Sequence, residues 1–582
     1  MANSRLQKLG NYLRPHWRTV LLGTVALVIV NALGVYIPLL IRDSIDQLQG
    51  QFSFEQLSRS ALWLLLLSFV MWGFRMCSRV FIFGVGRQIE FGLKQRIFRH
   101  LLTIEPGYFA DNTSGDLINR ATSDVDNIRR LVGFAVLSFV NIIFAYAFTL
   151  PAMLNINVRL TLLAIAIYPV MLMTVQLFST KLRRYQQEIQ EKLSDLSELI
   201  QEDMSGMALI RIYAQEVQER LAFKEKNQQL LESNLKLART RNFLFPVIEG
   251  LANISLLILL WLGTGAIASG QISVGDFIAL ALFVERLVFP TALLGFTITA
   301  YLQGEVSIDR VESITKAEPK VKNRSNAIVL PLKDIKGEIT ARHLTYTYPG
   351  SHTPALYDLN FTIKPGETVA IVGTIGSGKS TLANAIPRLL NVESGELFLD
   401  SCDITKLELA TLRKAIAYVP QDSFLFSTTI KNNIRYGEPL IETLEVELAA
   451  KQAQIHPEIL TFPQEYETLV GERGITLSGG QRQRTSLARA LLVDAKVLIL
   501  DDALSSVDNE TATRILNSLS PTRAKKTVIF ISHQLSAAAT CDRILVMDKG
   551  KIVQNGTHET LLQELGLYQT LWQQHQLQEV LN

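Results

Sequence analysis

Two stretches of this 582-residue chain carry side chains in an order suited to handling phosphate. The first, GTIGSGKST, runs from Gly373 to Thr381 and matches G-x-x-x-x-G-K-[ST], between the apolar run TVAIV and a segment of helical pattern. Its glycines, Gly373, Gly376 and Gly378, let the backbone curl so that the N–H groups of the loop, with Thr374, Ile375, Ser377 and Thr381, face one anion. Lys379 adds a point charge for β- and γ-phosphates, the Ser380 hydroxyl can bind Mg²⁺, and the N-terminus of the following helix adds partial positive charge. The second stretch, LILDDALSSVD at 498–508, reads as a buried strand running into two aspartates. Asp501, at the strand end, is suited to holding Mg²⁺ through water. Together these features describe a P-loop nucleoside triphosphatase.

Such a loop needs a strand before it and a helix after it. From Gly337 onward, short β-rich runs such as TVAIVG, VLILD and TVIFIS alternate with helical segments, which predicts an α/β domain over 337–582 with a parallel sheet. Residues 303–336 are charged, contain Pro319 and Pro331, and read as a linker.

Residues 1–302 read differently. Six apolar spans, near 20–41, 61–83, 131–154, 158–178, 243–268 and 275–302, are long enough to cross ~30 Å of hydrocarbon as helices. Hydrophobic residues make up 48% of the chain, and mean hydropathy is +0.20, high for a soluble protein. The connections 42–60, 155–157 and 269–274 are short, whereas 84–130 and 179–242 are long and rich in Lys and Arg. The positive-inside bias puts both long connections and the N-terminus in the cytoplasm, the inner (plasma) membrane of a bacterium being the setting expected. Helical patterning in these connections predicts helices continuing well past the bilayer. The first span is too long for a cleaved leader and lacks a clear cleavage site. A net charge of +3 gives no reason to expect nucleic-acid binding, and three scattered cysteines argue against a disulfide framework or zinc site.

The stretch VGERGITLSGGQRQRTSLARALL, 470–492, narrows the class. Ser478 and Gln481 form an S-x-x-Q capping box, and Gly479 and Gly480 permit close backbone approach. LSGGQ about twenty residues before the aspartate-ending strand resembles the signature of ABC transporters, and with six membrane spans the resemblance covers nearly the whole chain: an ABC exporter half-transporter, all-α membrane domain plus α/β ATPase domain. The resemblance implies that Tyr348 stacks on adenine, Gln421 contacts Mg²⁺ and meets the membrane domain, Glu472 belongs to an exporter-specific loop, Asp508 crosses to the opposite subunit, and His533 contacts the γ-phosphate. FADNTSGDLINRATSDVDNIRRL, 109–131, and DLSELIQEDMSGMALIRIYAQE, 195–216, resemble the intracellular loops of exporters, with short coupling helices near 112–119 and 204–213.

In this family two ATPase domains enclose two ATPs, each between the P-loop of one and the LSGGQ of the other, so a second half-transporter is the implied partner. Many such ATPases carry glutamate where this chain has Asp502. The shorter side chain withdraws a general base by roughly 1.5 Å from its water. With LSGGQ intact, that combination resembles the degenerate-site subunit of bacterial multidrug-like heterodimers; a homodimer with a working aspartate, or an ATP-gated regulatory subunit, are the alternatives. A soluble ABC ATPase would lack the spans, and an importer would usually carry its ATPase separately. Arg75, Glu249, Glu285 and Arg286 are ionisable residues within spans, and so candidates to meet the substrate. With Phe283, Phe289 and Phe296 on the last span, they suit an amphipathic drug or lipid.

Overall fold

The computed structural model describes residues 2–48, 54–519 and 526–581. The chain forms two compact units, one comprising Met1–Leu102 and Asn112–Ala317, the other Thr103–Asp111 and Glu318–Asn582.

The first unit is all-α. Its six long helices, Gln7–Leu48, Phe54–Leu101, Ser114–Ile156, Val158–Ser205, Glu216–Ala268 and Val274–Lys316, each contain one of the expected spans. At about 1.5 Å per residue, a helix of this kind extends ~60–80 Å, more than twice the hydrocarbon thickness. The local chemistry explains the turns. Asn157 adopts an extended conformation and accepts a hydrogen bond from Leu160 N (3.0 Å), so one residue both ends the third helix and caps the fourth. Ser273 and Asp276 form a reciprocal capping box that starts the sixth. Of the connection expected at 42–60, residues 49–53 lie outside the described residues.

Two boundaries differ from expectation. The sixth helix runs to Lys316, so the membrane-domain limit expected at 302 falls inside it. Charged residues made 303–316 look like linker, yet Gly304, Ser307, Ile308, Val311 and Ile314 are buried at helical spacing. Ser307 Oγ donates to Asp124 (2.8 Å) and Arg310 to Asp116 (2.9 Å), fastening this extension to the third long helix. In the first long connection, 112–119 is mostly the start of the next helix, capped by Thr113; the short separate helix is Pro106–Asp111. In the second, a six-residue helix, Met207–Ile212, lies within 204–213.

The second unit is α/β. Its strands are β1 (Ile339–Tyr346), β2 (Leu356–Ile363), β3 (Thr368–Gly373), β4 (Leu397–Leu399), β5 (Cys402–Asp403), β6 (Ile416–Val419), β7 (Val497–Asp501), β8 (Thr527–Ile531), β9 (Arg543–Asp548) and β10 (Lys551–Gly556). The six-stranded sheet has the order β10-β9-β3-β8-β7-β6, parallel throughout except for the antiparallel edge strand β10. Strands β7 and β8 are buried at every residue, as strands covered on both faces must be, which is why they read as unbroken apolar runs. A second, antiparallel sheet, β2-β1-β4-β5, was not anticipated. Leu344, Leu359, Ile363 and Leu397 from this sheet share one core with Val369, Ile371 and Leu382.

Candidate active site

The glycine-rich loop joins β3 to the helix Lys379–Ala385. Backbone geometry dictates two of its glycines. Gly373 has φ +151°, and a Cβ there would strike the carbonyl of Met547 on adjacent β9; Gly378 has φ +97°, and a Cβ would strike the carbonyl of Ala355. Lys379, only 6% exposed, donates from Nζ to Gly373 O (3.0 Å), Thr374 O (2.8 Å) and Ser377 Oγ (3.3 Å). Burial pushes the pKa of this ammonium down, opposed by the charges of Asp502 and Asp501. Thr374 Oγ1 donates to Asp548 (2.9 Å), tying the loop to the end of β9.

Ser380, on the first turn of the helix, donates its hydroxyl to Asp501 Oδ1 at 2.9 Å. The other oxygen of Asp501 and the side-chain oxygen of Asn384 lie 3.2 Å and 3.1 Å from Tyr418 OH and share its single proton. Burial raises the Asp501 carboxyl pKa, while the bonds from Ser380 and Tyr418 draw it back. The next residue, Asp502, has φ +49°, a left-handed conformation that aspartate tolerates, and its N–H donates to Ile531 O at 2.8 Å. Its Oδ1 is buried without a hydrogen-bond partner. A buried acceptor left open in this way is where a water O–H or another donor would be received.

Tyr348, Gly376, Ser377, Gly378, Lys379, Ser380, Thr381, Gln421, Asp501, Asp502 and His533 all line one cavity of about 340 Å³, with Ile375 at its rim. Tyr348 OH lies 3.2 Å from Thr381 Oγ1, and its ring meets Tyr346 edge-on. The donor set suits Mg²⁺: the hydroxyl of Ser380, the amide oxygen of Gln421 and the carboxylate of Asp501, all lining the cavity, are hard oxygen ligands. Such an ion would complete its shell with phosphate oxygens.

Ser478, Gly479, Gly480, Gln481 and Asp508 are not part of this cavity. The first two pairs open the helix Gly479–Leu492, where the capping box forms: Ser478 Oγ accepts from Gln481 N (3.3 Å) and Gln481 Oε1 from Ser478 N (2.9 Å). Asp508 instead accepts from Thr511 N (2.8 Å) at the start of the helix Asn509–Leu519. Glu472 is exposed on the turn Glu472–Gly474.

Three side chains that sequence reasoning missed hold these parts in place. Tyr418 has been described; its aromatic position at the end of β6, three residues before Gln421, was the available signal. Gln483, buried on the signature helix, donates to Ser505 Oγ (2.9 Å) and accepts from Ser506 N (2.8 Å), clamping the loop that leads to Asp508. Gln534, beside His533, donates to Val507 O (3.1 Å) and so joins the loops after β7 and β8.

Comparison with known proteins agrees with this architecture. Residues 20–291 match the family described as ABC transporter transmembrane region and residues 356–505 the family described as ABC transporter. The chain is 33% identical to a probable multidrug resistance ABC transporter ATP-binding/permease protein, YheI, of Bacillus subtilis, over 99% of this chain and 98% of that protein. It is 32% identical to the multidrug resistance-like ATP-binding protein MdlA of Escherichia coli (99% and 97%). Identity to the ATP-dependent lipid A-core flippase of Syntrophus aciditrophicus is also 32% (99% and 94%). A bacterial Atm1-family ABC exporter with ATP bound superposes with a TM-score of 0.77 at 24% identity, covering 96% of this chain and 99% of that one; this likeness concerns the fold.

Proposed function

Given that this chain belongs to the ABC exporters, as a half-transporter with one membrane domain fused to one ATPase domain, we propose that it is one of two subunits that export or flip an amphipathic drug or lipid, and that its own P-loop serves the weaker of their two ATP sites. The chain is a multi-pass membrane protein that binds and hydrolyses ATP to drive transport.

The observation that carries the two-chain reading is the separation within one chain. The P-loop, Asp501, Gln421 and His533 converge on one cavity, whereas Ser478–Gln481 and Asp508 lie outside it. A γ-phosphate held by Lys379 then has a second wall only when another subunit presents its capped helix N-terminus, a ready anion site. ATP bound between two subunits favours their joined state, and hydrolysis removes that differential affinity, which lets the membrane helices alternate their access. In this chain's cavity, Lys379 would hold β- and γ-phosphates, Tyr348 would lie against adenine, and Ser380, Asp501 and Gln421 would hold Mg²⁺. Bound there, Mg²⁺ would neutralise phosphate charge during transfer. Asp502 would receive a proton from the attacking water, but from a carboxylate set back roughly 1.5 Å relative to glutamate. Binding without fast hydrolysis is the expected result. His533 and Asp502, both of which line the cavity, favour a second reading: a homodimer in which Asp502 works as the base.

The charge bias of the connections supports a bacterial plasma-membrane location with the N-terminus and ATPase domain cytoplasmic. Assembly tests the proposal. Purified alone, the chain should show little ATP turnover; co-expressed with its partner it should copurify at a one-to-one ratio and turn over faster. Robust transport by the single purified chain would overturn the heterodimer and leave the exporter.

A further inference from the structure

A short helix, His456–Ile459, precedes the signature stretch and is held on several sides. Ile455 and Ile459 are buried in the same core as Val372, Leu498 and Leu500 of the six-stranded sheet. His456 Nδ1 lies 2.7 Å from the hydroxyl of the buried Tyr466. Gln454, at φ +55°, turns the chain out of the preceding helix, Thr443–Gln452. This fixed turn places Glu458 beside the N-terminus of the helix Gly479–Leu492. Glu458 Oε2 accepts from Gln481 Nε2 at 3.0 Å, and its Oε1 accepts from Arg484 Nη1 at 2.6 Å. Arg484 also donates to Gln454 O (2.8 Å) and, from Nε, to Gly480 O (3.3 Å).

The chemistry of these contacts selects one arrangement of the signature. A glutamine amide can turn over, exchanging its oxygen and its NH₂. The capping box needs the oxygen of Gln481 facing Ser478 N (2.9 Å). An ionised carboxylate only accepts, so Glu458 takes the NH₂ end and fixes that orientation. Turned over, the amide would set donor against donor at Ser478 and acceptor against acceptor at Glu458. With the box closed, Ser478 Oγ accepts from Gln481 N (3.3 Å) and retains its O–H as a donor for an anion. A carboxylate favours a helix N-terminus but would repel phosphate there. Arg484, with 14% of its side chain exposed, pairs with Glu458 and offsets that charge.

We propose that Glu458 is a positioning residue for the signature: acting through Gln481, it holds Ser478–Gln481 in the shape that receives the γ-phosphate bound by the opposite subunit. The inference rests on the two-chain reading and adds to it a residue outside the signature, 23 positions before Gln481, on which phosphate recognition depends. It applies equally to a second copy of this chain and to a different half-transporter as the opposite subunit.

The test is steady-state ATPase of the assembled dimer in phosphatidylcholine nanodiscs, measured across a range of MgATP concentrations. Glu458→Ala should raise the ATP concentration for half-maximal turnover about tenfold, a fold-change typical of losing one charge-assisted contact. Glu458→Gln keeps the side-chain volume and one acceptor; it should shift the same quantity in the same direction by less, so the result does not depend on the fold accepting alanine. The readout specific to positioning is the double-mutant cycle with Gln481→Ala. In that background Glu458→Ala should change half-saturating ATP by less than about twofold, because the residue through which it acts is gone. Effects of the two substitutions that simply multiply would overturn the proposal, leaving Glu458 as a support for the helix through Arg484. Wild-type ATP dependence in both Glu458 variants would overturn it as well. A Gln481→Ala dimer with wild-type ATP dependence would instead refute the two-chain reading of the signature, and the positioning role would fall with it.

Discussion

Ser380 and Asp501, 121 residues apart in sequence, share a hydrogen bond of 2.9 Å. It joins the first turn of the P-loop helix to the end of β7, placing side by side two oxygens that would hold Mg²⁺ in the proposed site. Asp501→Asn should keep the fold, since the amide oxygen can still accept from Ser380, but lose the charge. We expect ATPase of the assembled dimer to fall where this site contributes, and half-saturating Mg²⁺ for ATP binding to this subunit to rise on the order of 10-fold or more. An unchanged Mg²⁺ titration would remove Asp501 from the metal site. Tyr418→Phe, which deletes only the second donor to Asp501, should have a smaller effect in the same assay.

Lys379→Ala removes three loop contacts and the phosphate-directed charge together. ATP photolabelling of this subunit should weaken by roughly tenfold to a hundredfold, as loss of hydrogen bonds to a charged group implies. Labelling at wild-type level would show that nucleotide does not sit on this loop.

Gly378→Ala separates geometry from charge. At φ +97°, with Ala355 O in the way, an added methyl group should strain the loop by at least ~1 kcal/mol and reduce ATP labelling while Lys379 remains present. Thermal unfolding of the full-length protein with and without ATP would check this: the variant should lose more of the ATP-dependent stabilisation than of the baseline. Equal stabilisation by ATP in both proteins would contradict the loop's role.

Contiguous parts of the site were legible because each contains its own physical reason. The loop from Gly373 to Thr381 has its glycines, lysine and hydroxyl in one stretch, and β7 and β8 are buried at every residue, so they appear as plain apolar runs. What was not legible depends on partners far away in sequence. Residues 303–316 looked like a charged linker because Asp116 and Asp124, which fasten that helical extension, lie nearly 200 positions earlier. Strands β1 and β2, eight residues each, mix buried and exposed positions without regular alternation and shift register against each other, a weaker pattern than the unbroken apolar runs of the parallel core. Tyr418 and Gln483 act through hydrogen bonds to Asp501 and to the 505–506 loop, which only the tertiary fold brings near. Arg75 and Arg286 stood out as charges in apolar spans, but Gly34, which makes the space for Arg286, did not.

The central claim is that Asp502 and Ser478 of this chain serve different ATP sites, Asp502 the weak one built on its own P-loop and Ser478 the strong one of its partner. Steady-state ATPase of the assembled dimer tests it most directly. Ser478→Arg, at an exposed helix N-terminus, puts bulk and positive charge where the partner's γ-phosphate docks, and turnover should nearly vanish. Asp502→Asn should cost much less, because that site contributes little hydrolysis at the outset, and Asp502→Glu should raise turnover if the loop can seat the longer side chain. If Asp502→Asn abolishes activity as completely as Ser478→Arg, Asp502 is a working catalytic base and the asymmetric account is wrong.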